Sequence, residues 1–213
     1  MSPSKSSSKY KLYYFAARGR AEVTRLIFKA ASIPFVDETF SKDQWPGLKS
    51  TMPTQTVPVL EMGGEKYPDS GAIVRWAARK FGLSGKTDGD QLRVEEALAG
   101  AEEVRSLFLS WFFGTDPQSK GELEEQLKQK ATKFLGRWEA LVKETRASQR
   151  VYTYMVGTSL TAADLAMLDI LEQLSSVHSI DLNAFPKLLN NKATVSSLKP
   201  IKQYLETRAH YPF

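Results

Sequence analysis

The chain has 213 residues, 42% hydrophobic and 25% charged, a balance that suits a globular protein of one large domain or two small ones. It carries no cysteine, which excludes disulfides and requires any thiol chemistry to draw its sulfur from a ligand. The net charge of +5 is unevenly placed. Residues 1–81 hold 13 Lys and Arg against 7 Asp and Glu, the remainder 16 against 17, and no dense basic run or aromatic platform points to nucleic acid. A small anionic ligand is the better match.

Residues 1–9, rich in Ser and Lys, lack the apolar stretch of a secretory signal and read as a disordered tail. No run is long and apolar enough to span a bilayer, and a cytoplasmic location is the simplest expectation. Tyr10 to Phe15 is β-prone, and Val23, Leu26, Ile27, Ala30 and Ala31 then fall at helical spacing. Ile33 to Phe40 reads as a second strand and the segment around Trp45 as a short irregular helix. VPVLEM and EKY flank Gly63 and Gly64 as a hairpin, and Ser70 to Phe81 reads as a helix capped by Ser70 and stopped by Gly82. The order βαβ, α, ββα is that of a thioredoxin-like domain over residues 10–82.

The segment from Thr56 to Trp76 allows two readings. It is either an ordinary hairpin and capped helix, or a place where strand backbone and a helix N-terminus together hold a small peptide by main chain and carboxylate. Residues 83–90 have linker composition, and residues 91–213 read as all helical. Val94, Ala97, Leu98, Ala101, Val104, Leu107, Phe108, Trp111 and Phe112 recur every three or four residues, most simply as core. Thr161 and Asp164 have capping-box spacing, and the helix they open, reaching Ser176, is apolar on most sides and so belongs at the centre of the second domain. Pro186 and Pro200 mark the first turns of two further helices.

Taken in register, YKLYYFAARGRAE, DQWPGLK, MPTQTVPVLE, YPDSGAI, GTSLTAADLA and TRAHYPF resemble the cytosolic glutathione transferases, most closely the sigma class and its helminth relatives. The resemblance implies an α/β thioredoxin-like domain that binds glutathione, an all-α domain that carries the second-substrate site, a homodimer, and conjugation of the glutathione thiolate to a small hydrophobic or polar electrophile. It also implies no metal. The acids that bind a divalent ion in the prostaglandin D synthase branch include one whose place is taken by Ala99.

Carried onto this chain, the resemblance makes Tyr14 the catalytic tyrosine and Arg20 its supporting arginine, with Arg18 exposed. Strand alternation sends Tyr13 to the opposite face from Tyr14. Trp45 and Lys49 would contact the glycyl end of glutathione. Gln55, Thr56 and Val57, ahead of a cis Pro58, would face its cysteinyl residue, and Asp69 and Ser70 its γ-glutamyl end, joined by Glu103 from a partner subunit. Ala16, Arg105, Phe108 and Phe213 would line the second-substrate site. The chain departs from the family at Gln55 and Thr56, usually Gly followed by Gln or Lys, and at Asp69, usually Gln or Glu. A glutathione-dependent prostaglandin isomerase and a non-enzymatic relative, a crystallin-like protein or ligand carrier, stand as alternative readings.

Overall fold

The computed structural model describes residues 9–147 and 150–211, with 143–147 and 150–152 described for the backbone alone. The expected tail, but for Lys9, lies outside the described residues, as does Phe213. Strand β1 (Tyr10–Phe15) leads through a 3-10 turn (Gly19–Ala21) into α1 (Glu22–Ala30), followed by β2 (Val36–Phe40), α2 (Trp45–Lys49), β3 (Val59–Met62), β4 (Glu65–Pro68) and α3 (Ser70–Lys80). The sheet order is β2-β1-β3-β4, with β1 parallel to β2 and antiparallel to β3. A parallel pair needs a crossover, which α1 supplies, whereas Gly63 and Gly64 let β3 and β4 join as a tight hairpin. Burial alternates along β1, so Leu12 and Tyr14 point inward and Tyr13 is half-buried on the other face, its hydroxyl 2.8 Å from Glu61 Oε2.

The stop after α3 forms as the sequence suggests. Gly82 adopts a φ of +72°, and the N–H groups of Gly82 and Leu83 reach back to the carbonyls of Arg79 and Ala78. Its start differs from expectation: the cap is Asp69, whose carboxylate accepts from the Ala72 N–H at 2.7 Å, and Ser70 is already helical. Aspartate is as good a cap as serine, and here it stands one residue earlier.

Helix α4 (Asp88–Phe113) begins inside the stretch read as a linker, because Thr87 and Asp90 close a capping box there. It packs against α5 (Pro117–Leu141) and α6 (Ala162–Leu174), with α7 (Pro186–Ser197) and α8 (Lys199–Thr207) completing the helical part. Every residue of α6 except Glu172 is buried, in keeping with a sequence apolar on most sides. Asp164, Asp169 and Gln173 are its buried polar members, and Asp164 has the most hydrogen-bond donors around it. Its carboxylate takes the Met155 N–H at 2.6 Å, the Thr161 N–H at 2.7 Å, the Thr161 hydroxyl at 2.9 Å and the Asn191 amide at 2.8 Å. Between α5 and α6 the chain forms an antiparallel hairpin, β5 (Lys143–Ala147) and β6 (Arg150–Tyr154), where sequence reasoning expected only helix. The β-branched and aromatic run VYTY was the available signal.

Candidate functional site

The C-terminal end of β1, the 3-10 turn after it and the middle of α4 meet at Tyr14. Its hydroxyl oxygen accepts the Arg20 backbone N–H at 3.0 Å, which leaves the phenolic proton free to be donated elsewhere. Burial raises the Tyr14 pKa above the ordinary phenol value, against the downward pull of that N–H and of the charges on Arg20, Arg25 and Arg105. The group is therefore a neutral O–H donor at pH 7. Gly19 makes the close approach possible: its φ is +42°, and a Cβ there would lie 2.5 Å from the Tyr14 oxygen.

Arg20 stands between two cavities. Its side chain donates to Glu102 Oε1 and to the Ser106 hydroxyl, each at 2.9 Å, so α4 holds the guanidinium in place while the backbone N–H serves the tyrosine. Glu102 also takes Arg105 Nη1 at 2.9 Å, and Arg105 Nη2 reaches Asp169 of α6 at 2.6 Å. Burial works against the Arg105 charge, but the carboxylates of Asp169 and Glu102 outweigh it and raise its pKa. Arg105 is thus a buried strut between helices and not the substrate contact expected from sequence.

The smaller cavity, about 190 Å³, lies at the N-terminus of α3 and is bounded by Arg20, Ser70, Gly71, Arg75, Ala99 and Glu102. First-turn N–H groups and arginines at one small opening suit a carboxylate. Asp69, with a φ of +77°, holds the entrance to α3 in a conformation that L-residues seldom adopt. The larger cleft, about 580 Å³, is bounded by Tyr14, Ala16, Arg20, Lys42, Leu109 and Phe113, with Phe15, Ala17, Phe40 and Ser41 completing its lining.

Of the residues expected from sequence, the structure brings Tyr14, Arg20 and Ala16 together at the larger cleft and Ser70 with Arg20 at the smaller. Trp45 stacks on Phe40 with centroids 5.6 Å apart and meets Phe15 edge-on, which anchors α2 beside the sheet, and Lys49 is exposed one turn on. The Val57–Pro58 bond is cis, and Val57 stands two residues ahead of the first ladder pairs, those of Val59 with Tyr13 and Pro68. Gln55 and Thr56 are exposed, Gln55 with a φ of +53°.

Two further assignments need correction. Phe108 is 1% exposed and packs with Trp111 and Phe112 in the core, so the open wall is formed instead by Leu109 and Phe113. Arg18 is not exposed but donates to Glu172 at 3.0 Å. Glu103 is exposed and pairs with Lys130 of its own chain. Leu109 and Phe113 escaped sequence reasoning because SLFLSWFF is apolar at nearly every phase, so periodicity cannot say which side faces the core, and Lys42 escaped it because nothing near it in the chain ties it to Phe113. Among the described residues no three acidic or imidazole groups converge as a metal would need, and no helix is long and apolar enough to cross a membrane.

Comparison with known proteins agrees over nearly the whole length. Residues 13–85 match the family described as glutathione S-transferase, N-terminal domain, and residues 102–208 that of the C-terminal domain. Glutathione S-transferase 4 of Caenorhabditis elegans is 32% identical over 204 residues, covering 93% of this chain and 96% of its own length. Among solved structures, a sigma class glutathione transferase of Fasciola hepatica superposes with a TM-score of 0.82 at 28% identity, covering 96% of this chain and 98% of that one. Na-GST-3 of the hookworm Necator americanus, described as monomeric, gives a TM-score of 0.83 at 31% identity, with 96% and 99% covered.

Proposed function

This chain belongs to the glutathione S-transferase family, and from that premise we propose that it conjugates the glutathione thiolate to small electrophiles, with Tyr14 as the group that stabilises the thiolate. The observation that carries the reading is a phenol kept protonated, its oxygen occupied by the Arg20 N–H and its proton available at an apolar cleft. A hydrogen bond from that O–H to sulfur favours the anion over the thiol. Lowering a thiol pKa from roughly 8.5 by about 2 units corresponds to about 2.7 kcal/mol and leaves most of the sulfur ionised at pH 7. In attack on an aryl halide the sulfur–carbon bond forms, halide leaves with its bonding pair, and Tyr14 keeps its proton throughout.

In this reading glutathione lies along the first domain. Trp45 and Lys49 take its glycyl end, Gln55, Thr56 and the Val57 main chain face its cysteinyl residue, and Ser70 with Asp69 holds the γ-glutamyl end, the α3 N-terminus favouring its carboxylate and Asp69 its ammonium. Arg20 is a positioning residue that also supplies positive charge. The protein acts in the cytoplasm, and as a homodimer it would bring Glu103 of a second copy to the ammonium group. A monomer in sedimentation would remove Glu103 from the site and leave the rest of the reading intact.

Tyr14→Phe tests the assignment directly. Removing one preorganised donor should lower kcat/KM for 1-chloro-2,4-dinitrobenzene by about 100-fold, with little change in glutathione KM and loss of the thiolate absorbance of bound glutathione. Unchanged turnover would remove Tyr14 from the mechanism. Retention of the native protein on immobilised glutathione without turnover would mark a carrier, and absence of retention a structural protein.

A further inference from the structure

The larger cleft has an unusual balance of charge. Its lining contains two cations, Arg20 and Lys42, and no carboxylate. Arg20 is already ion-paired with Glu102. Lys42 lies two residues beyond β2 on an exposed turn, and its ammonium stands 4.9 Å from the centroid of the Phe113 ring. Among the described residues no carboxylate pairs with it, and its neighbour Asp43 does not line the cleft. The ring face holds the ammonium at the mouth without cancelling its charge. Leu109 and Phe113, one helical turn apart on α4, form the apolar wall that leads from this cation toward Tyr14.

We propose that this cleft selects electrophiles bearing a carboxylate, with Lys42 as the residue that recognises the anion and Leu109 and Phe113 as the wall for the apolar body. The inference rests on the conjugation reading above and gives it a substrate class: amphipathic acids with an electrophilic carbon remote from the carboxylate. For an α,β-unsaturated ketone of this kind no other reactant is needed. Sulfur bonds to the β-carbon, the carbon–carbon π pair passes to the α-carbon, that carbon takes a proton from solvent, and nothing leaves.

The test uses a matched pair, ethacrynic acid and its methyl ester, which differ in the anionic charge and keep the same enone. The native protein should show a KM for the acid about fivefold below that for the ester, the upper range for an exposed charge pair, and the gap should close at about 1 M salt. Lys42→Gln should bring the acid-to-ester KM ratio close to one, Lys42→Glu should invert it, and kcat for the acid should move less than KM. Lys133→Gln, on α5 and away from the cleft, removes the same charge and should leave the ratio alone. Equal KM values for acid and ester in the native protein, or a ratio that ignores Lys42→Gln, would overturn this inference while conjugation of the ester upheld the broader reading. A rise in glutathione KM in place of the acid's would reassign Lys42 to the tripeptide. Failure to conjugate either compound while 1-chloro-2,4-dinitrobenzene is conjugated would overturn this inference alone, and failure with all three would sink both readings.

Discussion

A methyl group on Gly19 has nowhere to go. It would stand 2.5 Å from the Tyr14 oxygen, on a residue whose φ of +42° already disfavours a side chain. Gly19→Ala should therefore displace the phenol from the Arg20 N–H, lowering kcat/KM for conjugation by about tenfold or more, since small misplacements of a reacting group are costly. The stability cost should be nearer 1 kcal/mol, measured by urea midpoint, because the turn can shift. Undiminished conjugation by this variant would show that the Arg20–Tyr14 hydrogen bond does not position the donor. The residue types here were legible: Tyr14 and Arg20 stand out in YKLYYFAARGR on the family resemblance. The role of Gly19 was not, since a glycine between two arginines reads only as a turn until the ring beside it is seen.

The helices divide their labour by face. On α4, Val94, Ala97, Ala101, Val104 and Phe108 enter the core, Glu102 and Ser106 hold Arg20, and Leu109 and Phe113 face the cleft. At the start of α6, burial pushes the Asp164 carboxyl up to about 6, against four donors that pull it down. A carboxyl whose folded pKa is raised above its unfolded value of 3.8 binds its proton more tightly in the native state. Its contribution to stability is therefore full below that lower value and lost as the pH rises through about 6. Asp164→Ala should abolish this slope between pH 4 and 6, and by orphaning buried donors should cost about 3 kcal/mol at neutral pH. Urea titrations of both proteins across that range check it, and a slope that survives in the variant would assign it to another group.

At the scale of the whole molecule, Glu22 ties the two parts together. It is 1% exposed at the start of α1, yet it accepts Arg208 at 2.7 Å from beyond α8, the Tyr204 hydroxyl at 3.1 Å and Arg25 at 3.4 Å. Arg208 and Arg18 then share Glu172 of α6 at 2.7 and 3.0 Å. Removing one member of such a buried set leaves the others uncompensated. Glu22→Ala should cost about 3 kcal/mol and raise amide exchange in both α1 and α8, in contrast to a surface change of the same type. Exchange altered in α1 alone would mean that the network does not couple the helical part to the sheet.

What the sequence determined by itself was local and periodic. The βαβ, α, ββα order, the Gly82 stop, the Thr161–Asp164 start of α6 and the segments that carry the family resemblance are each set by neighbours a few residues apart, where propensity, capping and turn chemistry act. Tertiary structure decided which members of a mostly apolar run such as SLFLSWFF face the cleft, and turned Arg105 from a candidate substrate contact into a strut to Asp169, 64 residues away. It also placed Lys42 over Phe113, an association separated by 71 positions in the chain. Burial and charge pairing depend on which distant side chains share the space, and no spacing rule along the chain contains that information.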